Sequence, residues 1–185
     1  MPLDAVCLRA VVTELDEKVR GGRVDKVYQP DRDEIVLSIR GTRGALRLMI
    51  TAEPSAPRMH LIDANRENPA APPMFCMLMR KYVQGAKIVS IHQPALERVA
   101  VIDLDTTDEM GVPVRRQLVC ELMGKYSNII LKGDDGRIID AIRRVDGDIS
   151  GKRQVLPGLF YRMPPAQEGK DDPLTLTGAE LVARL

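Results

Sequence analysis

Apolar residues recur at helical spacing from Leu3 to Arg20, with Val6, Ala10, Val11, Leu15 and Val19 near one face and Glu14, Asp16, Glu17 and Lys18 outside. Asp4 stands where an N-cap belongs and Gly21-Gly22 where the helix should end. From Arg23 the period changes to two. GRVDKVYQP, EIVLSIR and ALRLMITA read as strands of an antiparallel meander, punctuated by Pro30-Asp31 and by Gly41 to Gly44. Val24, Val27, Ile35, Leu37, Ile39, Leu46, Leu48 and Ile50 supply its core face. Arg58 to Ile62 suggests a fourth strand, and Asp63 to Pro72 a loop.

Pro73 then opens a second helix, in which Phe75, Leu78, Met79, Tyr82 and Val83 recur at helical spacing. Arg80 and Lys81 suit its C-terminal dipole, and Gly85 ends it. Lys87 to His92 reads as a strand broken by Pro94. After Leu104 and a TTDEMG turn, VPVRRQLVCELMG, NIILKG and RIIDAIRRV form a second meander, with Gly133 to Gly136 as a hairpin turn. Periodicity fades after Gly147, and a capped helix is expected from Thr177. No strand–helix alternation appears, so the class is α+β, with two antiparallel sheets and two substantial helices.

Two charges interrupt this pattern. Val99 to Leu104 begins with apolar residues at successive positions, as in a strand covered on both faces, and Glu97 and Arg98 directly precede it. In a regular strand they would point to opposite faces, so one shared site requires a bulge or turn, which Pro94 favours. The plain alternative is two solvated charges at a strand start. A second polar cluster, Glu121, Lys125, Tyr126, Ser127 and Asn128, lies between apolar runs. It reads equally as a strand–turn–strand or as a polar cleft holding Glu121, Lys125 and Asn128.

Composition narrows the options. The 185 residues are 44% hydrophobic and 29% charged, with net charge +1, so a polyanion would have to be met by a local patch. Three well-separated cysteines, Cys7, Cys76 and Cys120, lie in apolar runs and are expected to be buried thiols, not a disulfide framework or zinc site. His60 and His92 lack ligand-spaced neighbours, and no phosphate-cradling glycine loop or nucleophile elbow is present. Neither a cofactor nor a metal is expected. Pro2 would offer a secondary-amine nucleophile after removal of Met1. No leader or membrane-length apolar run is visible, and a cytoplasmic protein is expected.

GRVDKVYQP, PRMHLI, NPAAPPMFCMLMRKYVQGAKI, ELMGKYSNIIL, IIDAIRRV and RQVLPGLFYRMPPAQ together resemble the N-terminal NFACT domain of the RqcH, NEMF and fibronectin-binding-protein-A-like proteins, from Leu3 to Gln167. The resemblance implies a β-sandwich with flanking helices, similar to the N-terminal domain of formamidopyrimidine-DNA glycosylase. It places this domain at residues 1–172, with 173–185 entering a following helix-hairpin-helix region. It further implies a non-enzymatic role in ribosome-associated quality control. Such proteins bind an obstructed large ribosomal subunit with its peptidyl-tRNA and recruit charged tRNA, alanyl-tRNA in bacteria, to extend the stalled chain without mRNA. Asp4 matches the family's acidic residue in the first helix, and Arg98 the basic member of its Asp-Arg pair. Glu97 replaces the Asp, longer by one methylene. Two rivals stand beside this expectation. A glycosylase using Pro2 would want an acidic residue next, where Leu3 stands; a fibronectin-binding adhesin would want an export signal or anchor.

Overall fold

The computed structural model describes residues 3–41, 44–149, 151, 153–165 and 175–183. Pro2 and the 172/173 boundary lie outside them. Helix α1 spans Ala5–Val19 and leads into strands β1 (Arg23–Asp31), β2 (Glu34–Gly41), β3 (Gly44–Thr51) and β4 (Arg58–Leu61). Helix α2 (Met74–Val83) precedes β5 (Lys87–His92), β6 (Val99–Thr107), β7 (Pro113–Glu121), a 3₁₀ turn at Gly124–Tyr126, β8 (Asn128–Gly133) and β9 (Ile138–Ala141). A short helix, α3, occupies Gly178–Val182. Thr177 and Glu180 form a reciprocal capping box at its start.

Both expected meanders are present, and the class is α+β with antiparallel pairing. Their expected separation into two sheets gives way to one hydrogen-bonded order, β4-β3-β2-β1-β5-β6-β7-β8-β9. The joint between the halves is narrow. Only Arg23↔Lys87 pairs in register between β1 and β5. Backbone bonds from Val24 N to Ala86 O (2.8 Å), Gly85 N to Val24 O (2.7 Å) and Ile88 N to Gly22 O (2.8 Å) reinforce it. The chain nonetheless doubles back, because Arg143, just after β9, pairs with Asp33 in the β1–β2 turn at 2.7 Å.

One core gathers Ile35, Leu37 and Ile50 from the first meander with Ile102, Leu118 and Leu131 from the second. Fully burying each such side chain contributes on the order of 1.5–3 kcal/mol. The successive apolar positions of β6 divide as expected. Ala100, Ile102 and Leu104 enter this core, while Val99 and Val101 join a smaller cluster with Val119, Ile130 and Val155 on the opposite face. Helix α1 packs mainly on β5, and α2 mainly on β1 with further contacts to β6 and β9.

The face expected for α1 is corrected. Leu8, Val12, Leu15 and Val19 are buried, at spacings of four, three and four, whereas Val6 is 58% exposed and Ala10 is exposed. Leu8, absent from the expected stripe, is fully buried and sets the rotation together with Val12. In α2, Pro73 is the N-cap and not the first helical residue, and Cys76 joins Phe75, Met79 and Val83 in the buried set. Cys7 is exposed, contrary to expectation, while Cys76 and Cys120 are buried. Burial pushes the Cys120 thiol up to about 12, which leaves it a small apolar filler at neutral pH.

The turn from α1 to β1 is tight for a steric reason. A Cβ on Gly22 would lie 2.7 Å from Ile39 Cγ2 and 2.9 Å from Val19 O. Gly22→Ala should therefore destabilise the fold by about 2 kcal/mol through overpacking, read as a lower urea midpoint at unchanged m-value.

Candidate nucleic-acid interface

The N-terminus of α1 and the turn before β6 are fastened together by a few polar groups. Asp4 caps α1 by accepting from Cys7 N at 2.7 Å, and the residue is exposed. Gln93 Nε2 donates to Ala5 O at 2.8 Å and to Glu97 O at 2.6 Å. Its Oε1 accepts from Arg9 Nε at 2.6 Å, and Arg9 Nη2 donates to Ala95 O at 2.7 Å. The helix start and the charged turn thus share one amide nitrogen, which brings Asp4 close to Glu97.

The turn required by the sequence argument is present. Ala95 takes φ 47°, the left-handed region, directly after Pro94. Such a conformation costs on the order of 1 kcal/mol or more and persists only where neighbours fix it, as Arg9 does here. Arg98 O then accepts from Leu122 N at 2.9 Å, and Val99 pairs with Glu121, which locks the turn to the end of β7.

Glu97 and Arg98 are half-buried, and neither forms an ion pair or side-chain hydrogen bond among the described residues. The two heads are not paired to each other. Beside them, Gly124 adopts φ 56° and Ser127 Oγ accepts from Met123 N at 2.8 Å, shaping the 3₁₀ turn. That turn carries Lys125, exposed, with Nζ 5.0 Å from the ring centroid of Tyr126, a residue 71% exposed.

The second predicted cluster divides. Glu121 is 0% exposed, faces Arg153 Nη1 at 3.0 Å and Nη2 at 2.9 Å, and accepts from Tyr161 OH at 3.3 Å. Asn128 is also buried. It donates to Arg143 O at 2.8 Å and accepts from Arg143 N at 3.1 Å. These two lie opposite each other across β7 and β8, each with internal partners. Lys125 alone of the three is on the surface, so Glu121, Lys125 and Asn128 do not form one open cleft. Sequence reading missed Gln93, Arg9, Arg153 and Tyr161. The partners of Glu121 lie in the stretch where periodicity is lost, so no spacing links them to it.

Burial pushes the Glu121 carboxyl up, and the Arg153 and Tyr161 contacts only partly offset that. Among the described residues, no group of His, Cys, Asp and Glu could hold a metal ion, and no helix is long and apolar enough to cross a membrane.

Fold and site define an antiparallel α+β domain whose α1 end presents an exposed carboxylate, an unpaired Glu–Arg turn and an exposed Lys–Tyr pair. The family model for NFACT N-terminal and middle domains matches residues 4–185, and the chain belongs to this family. It is 36% identical over 186 residues to the Rqc2 homolog RqcH of Bacillus subtilis, covering 100% of this chain and 32% of that protein. Among solved structures, the N-terminal domain of fibronectin-binding protein PavA from Streptococcus pneumoniae superposes with TM-score 0.91 at 36% identity, covering 98% of this chain and 68% of that one. The N-terminal part of the fibronectin/fibrinogen-binding protein of Streptococcus suis gives 0.90 at 35% identity, covering 97% and 67%. The chain spans about a third of the length of the curated relatives it matches.

Two outcomes separate structural from surface charge here. Glu121→Ala removes the carboxylate that faces the Arg153 guanidinium and should cost on the order of 3 kcal/mol in urea unfolding, whereas Arg98→Ala should stay within about 0.5 kcal/mol of the parent. Because Glu121 holds its proton more tightly folded than unfolded, its contribution to stability is full below the ordinary value of 4.5 and is lost as pH rises through the raised folded value. Urea titrations from pH 4 upward should show this decline in the parent and not in Glu121→Gln.

Proposed function

We propose that this chain is the tRNA-handling module of a ribosome-associated quality control factor. Its site is the turn bearing Glu97 and Arg98, together with Asp4. The observation that supports this most is the fastening of that turn to α1 by Gln93 and Arg9, while the Glu97 and Arg98 heads have no partner among the described residues. A guanidinium held this way forks to phosphate or stacks on an unpaired base. The neighbouring carboxylates accept from a base amine or a 2′-OH. Tyr126 adds an exposed ring on which a base can stack.

The names of the curated relatives, Rqc2 homolog RqcH, support a place in ribosome-associated quality control. In the role proposed, the full-length protein binds an obstructed large ribosomal subunit and recruits charged tRNA, with alanyl-tRNA as the substrate class, for tailing of the stalled chain. Peptide-bond formation would belong to the ribosome, and the domain would position substrates without a nucleophile of its own. The doubled-back sheet, tied by Arg143 to Asp33, supports the finer reading of a β-sandwich like that of formamidopyrimidine-DNA glycosylase. A second reading, binding of fibronectin, is favoured only by the titles of the solved relatives.

Arg98→Ala in the full-length protein should leave unfolding unchanged and reduce tRNA co-purification by at least about tenfold, as expected for losing a hydrogen bond to a charged group. Arg98→Lys should rescue poorly, because a point charge does not replace the fork. Undiminished tRNA in Arg98→Ala, with recovery of the protein in the envelope fraction and not with large ribosomal subunits, would favour the fibronectin reading.

A further inference from the structure

The end of the sheet where its two halves join carries cations at neighbouring positions. Val24, Ile39 and Ile88 enter the core, so by the two-residue period Arg23, Arg40 and Lys87 point to the outer face. Arg23 stands in register with both of the others, Arg40 on β2 and Lys87 on β5. All three are exposed. Neighbouring strands lie about 4.8 Å apart, so the row spans roughly 10 Å.

A bulge adds a fourth cation. Val24 pairs with Ile39 and Lys26 with Ser38, which leaves Asp25 as an extra residue in β1. In an unbroken strand Lys26 would share the core side with Val24. The bulge turns it to the outer face with Arg23, and it is exposed.

Like charges directly opposite each other across strands are destabilising. Two such pairs, Arg40 with Arg23 and Arg23 with Lys87, stand side by side here, and little in the chain offsets them. The ammonium groups of Lys26 and Lys87 have no hydrogen bond or ion pair among the described residues. Arg40 Nη2 reaches Asp25 only at 4.0 Å, between two well-exposed side chains. Arg23 Nη1 donates to Gly85 O at 2.7 Å, a neutral partner. Asp105, opposite Lys87 on β6, is already held by Arg115 Nε and Nη2 at 2.8 and 3.2 Å. An external anion would relieve the repulsion.

The surface selects among anions. Its cations spread over three strands of an outer face, which suits successive phosphates of a chain better than one small ion. No exposed aromatic residue stands among them. The next outward residue of β1, Tyr28, is half-buried, with Arg80 5.9 Å from its ring centroid. Single-stranded nucleic acid is held by bases stacked on aromatic rings, whereas duplex RNA is met largely through its backbone.

We propose that this face, bearing Arg23, Lys26, Arg40 and Lys87, binds the phosphate backbone of duplex RNA. It lies at the opposite end of β5 from the Glu97–Arg98 turn and shares no residue with it. The proposal therefore goes beyond the tRNA reading, and a failure of tRNA co-purification leaves it standing.

Fluorescence anisotropy of a labelled blunt RNA duplex, titrated with the 185-residue chain, tests it. Four phosphate contacts give a slope of log affinity against log salt of roughly −3.6, a loss of roughly 100-fold between about 50 and 200 mM salt. Arg40→Thr combined with Lys87→Thr removes two contacts and keeps the bond from Arg23 to Gly85. That variant should bind at least about tenfold more weakly at low salt, with about half the slope. Its urea midpoint at low salt should be no lower than the parent's, because the like charge on each side of Arg23 is gone. A lower midpoint would mean that these cations serve the fold, and would overturn the proposal. So would an unchanged slope in the variant. Equal or tighter binding of a uridine single strand of the same length, of poly-glutamate or of phosphatidylglycerol vesicles would assign the face to another partner and overturn it as well.

Discussion

The amide of Gln93 is the contact on which the charged end of the domain depends. Its nitrogen holds two carbonyls from segments far apart in sequence, and its oxygen holds Arg9, which in turn reaches over to Ala95. Without it, the turn after β5 would keep the left-handed Ala95 only against a conformational penalty, and Glu97 and Arg98 would sample many directions. A flexible pair of charges makes a poor recognition site, because each side chain must then be ordered by the ligand itself. Fixing the backbone in advance leaves only the two side-chain heads to be ordered on binding.

What the sequence disclosed follows from which forces act locally. The strands of the first meander were legible because Ile35, Leu37 and Ile39 of β2 and Leu48 and Ile50 of β3 enter the main core at alternate positions, and the two strands pair without a register break from Glu34↔Thr51 to Gly41↔Gly44. Double burial of β6 was legible because its apolar residues are successive. The rotation of α1 was misread because Leu8 and Val12 were left out of the stripe, and their burial against the sheet outranks Val6 and Ala10. The joint of β1 with β5 was invisible. It rests on four backbone bonds around Gly21, Gly22, Gly85 and Ile88, to which no side-chain pattern contributes.

The two polar clusters show the same limit in the opposite direction. Glu121 and Glu97 each adjoin an apolar strand end, and sequence spacing does not distinguish them. Their partners do. Glu121 is enclosed by a guanidinium and a phenol from the proline-punctuated segment after Gly147, whereas the Glu97 carboxylate has no hydrogen-bond or ion-pair partner among the described residues. A carboxylate with its lone pairs already occupied inside the fold specifies structure, and one left open at a stiffened turn is available for recognition. Reading function from a charge therefore required knowing what lies across the sheet from it.

The same distinction bears on how a nearly neutral domain would engage RNA under the proposed function. Much of its positive charge is spent internally: Arg115 on Asp105, Arg143 on Asp33, Arg144 on Asp140, Arg153 on Glu121 and Arg66 on Glu34. With net charge +1, no broad positive field draws a polyanion to the surface. An isolated open cation such as Arg98 must act one contact at a time. Each phosphate neutralised on a single strand steepens the dependence of log affinity on log salt by only about 0.7, so binding through one or two such contacts is only mildly salt-sensitive. Selectivity in that regime comes from geometry and from satisfied hydrogen bonds. That is the kind of recognition a fastened turn can provide.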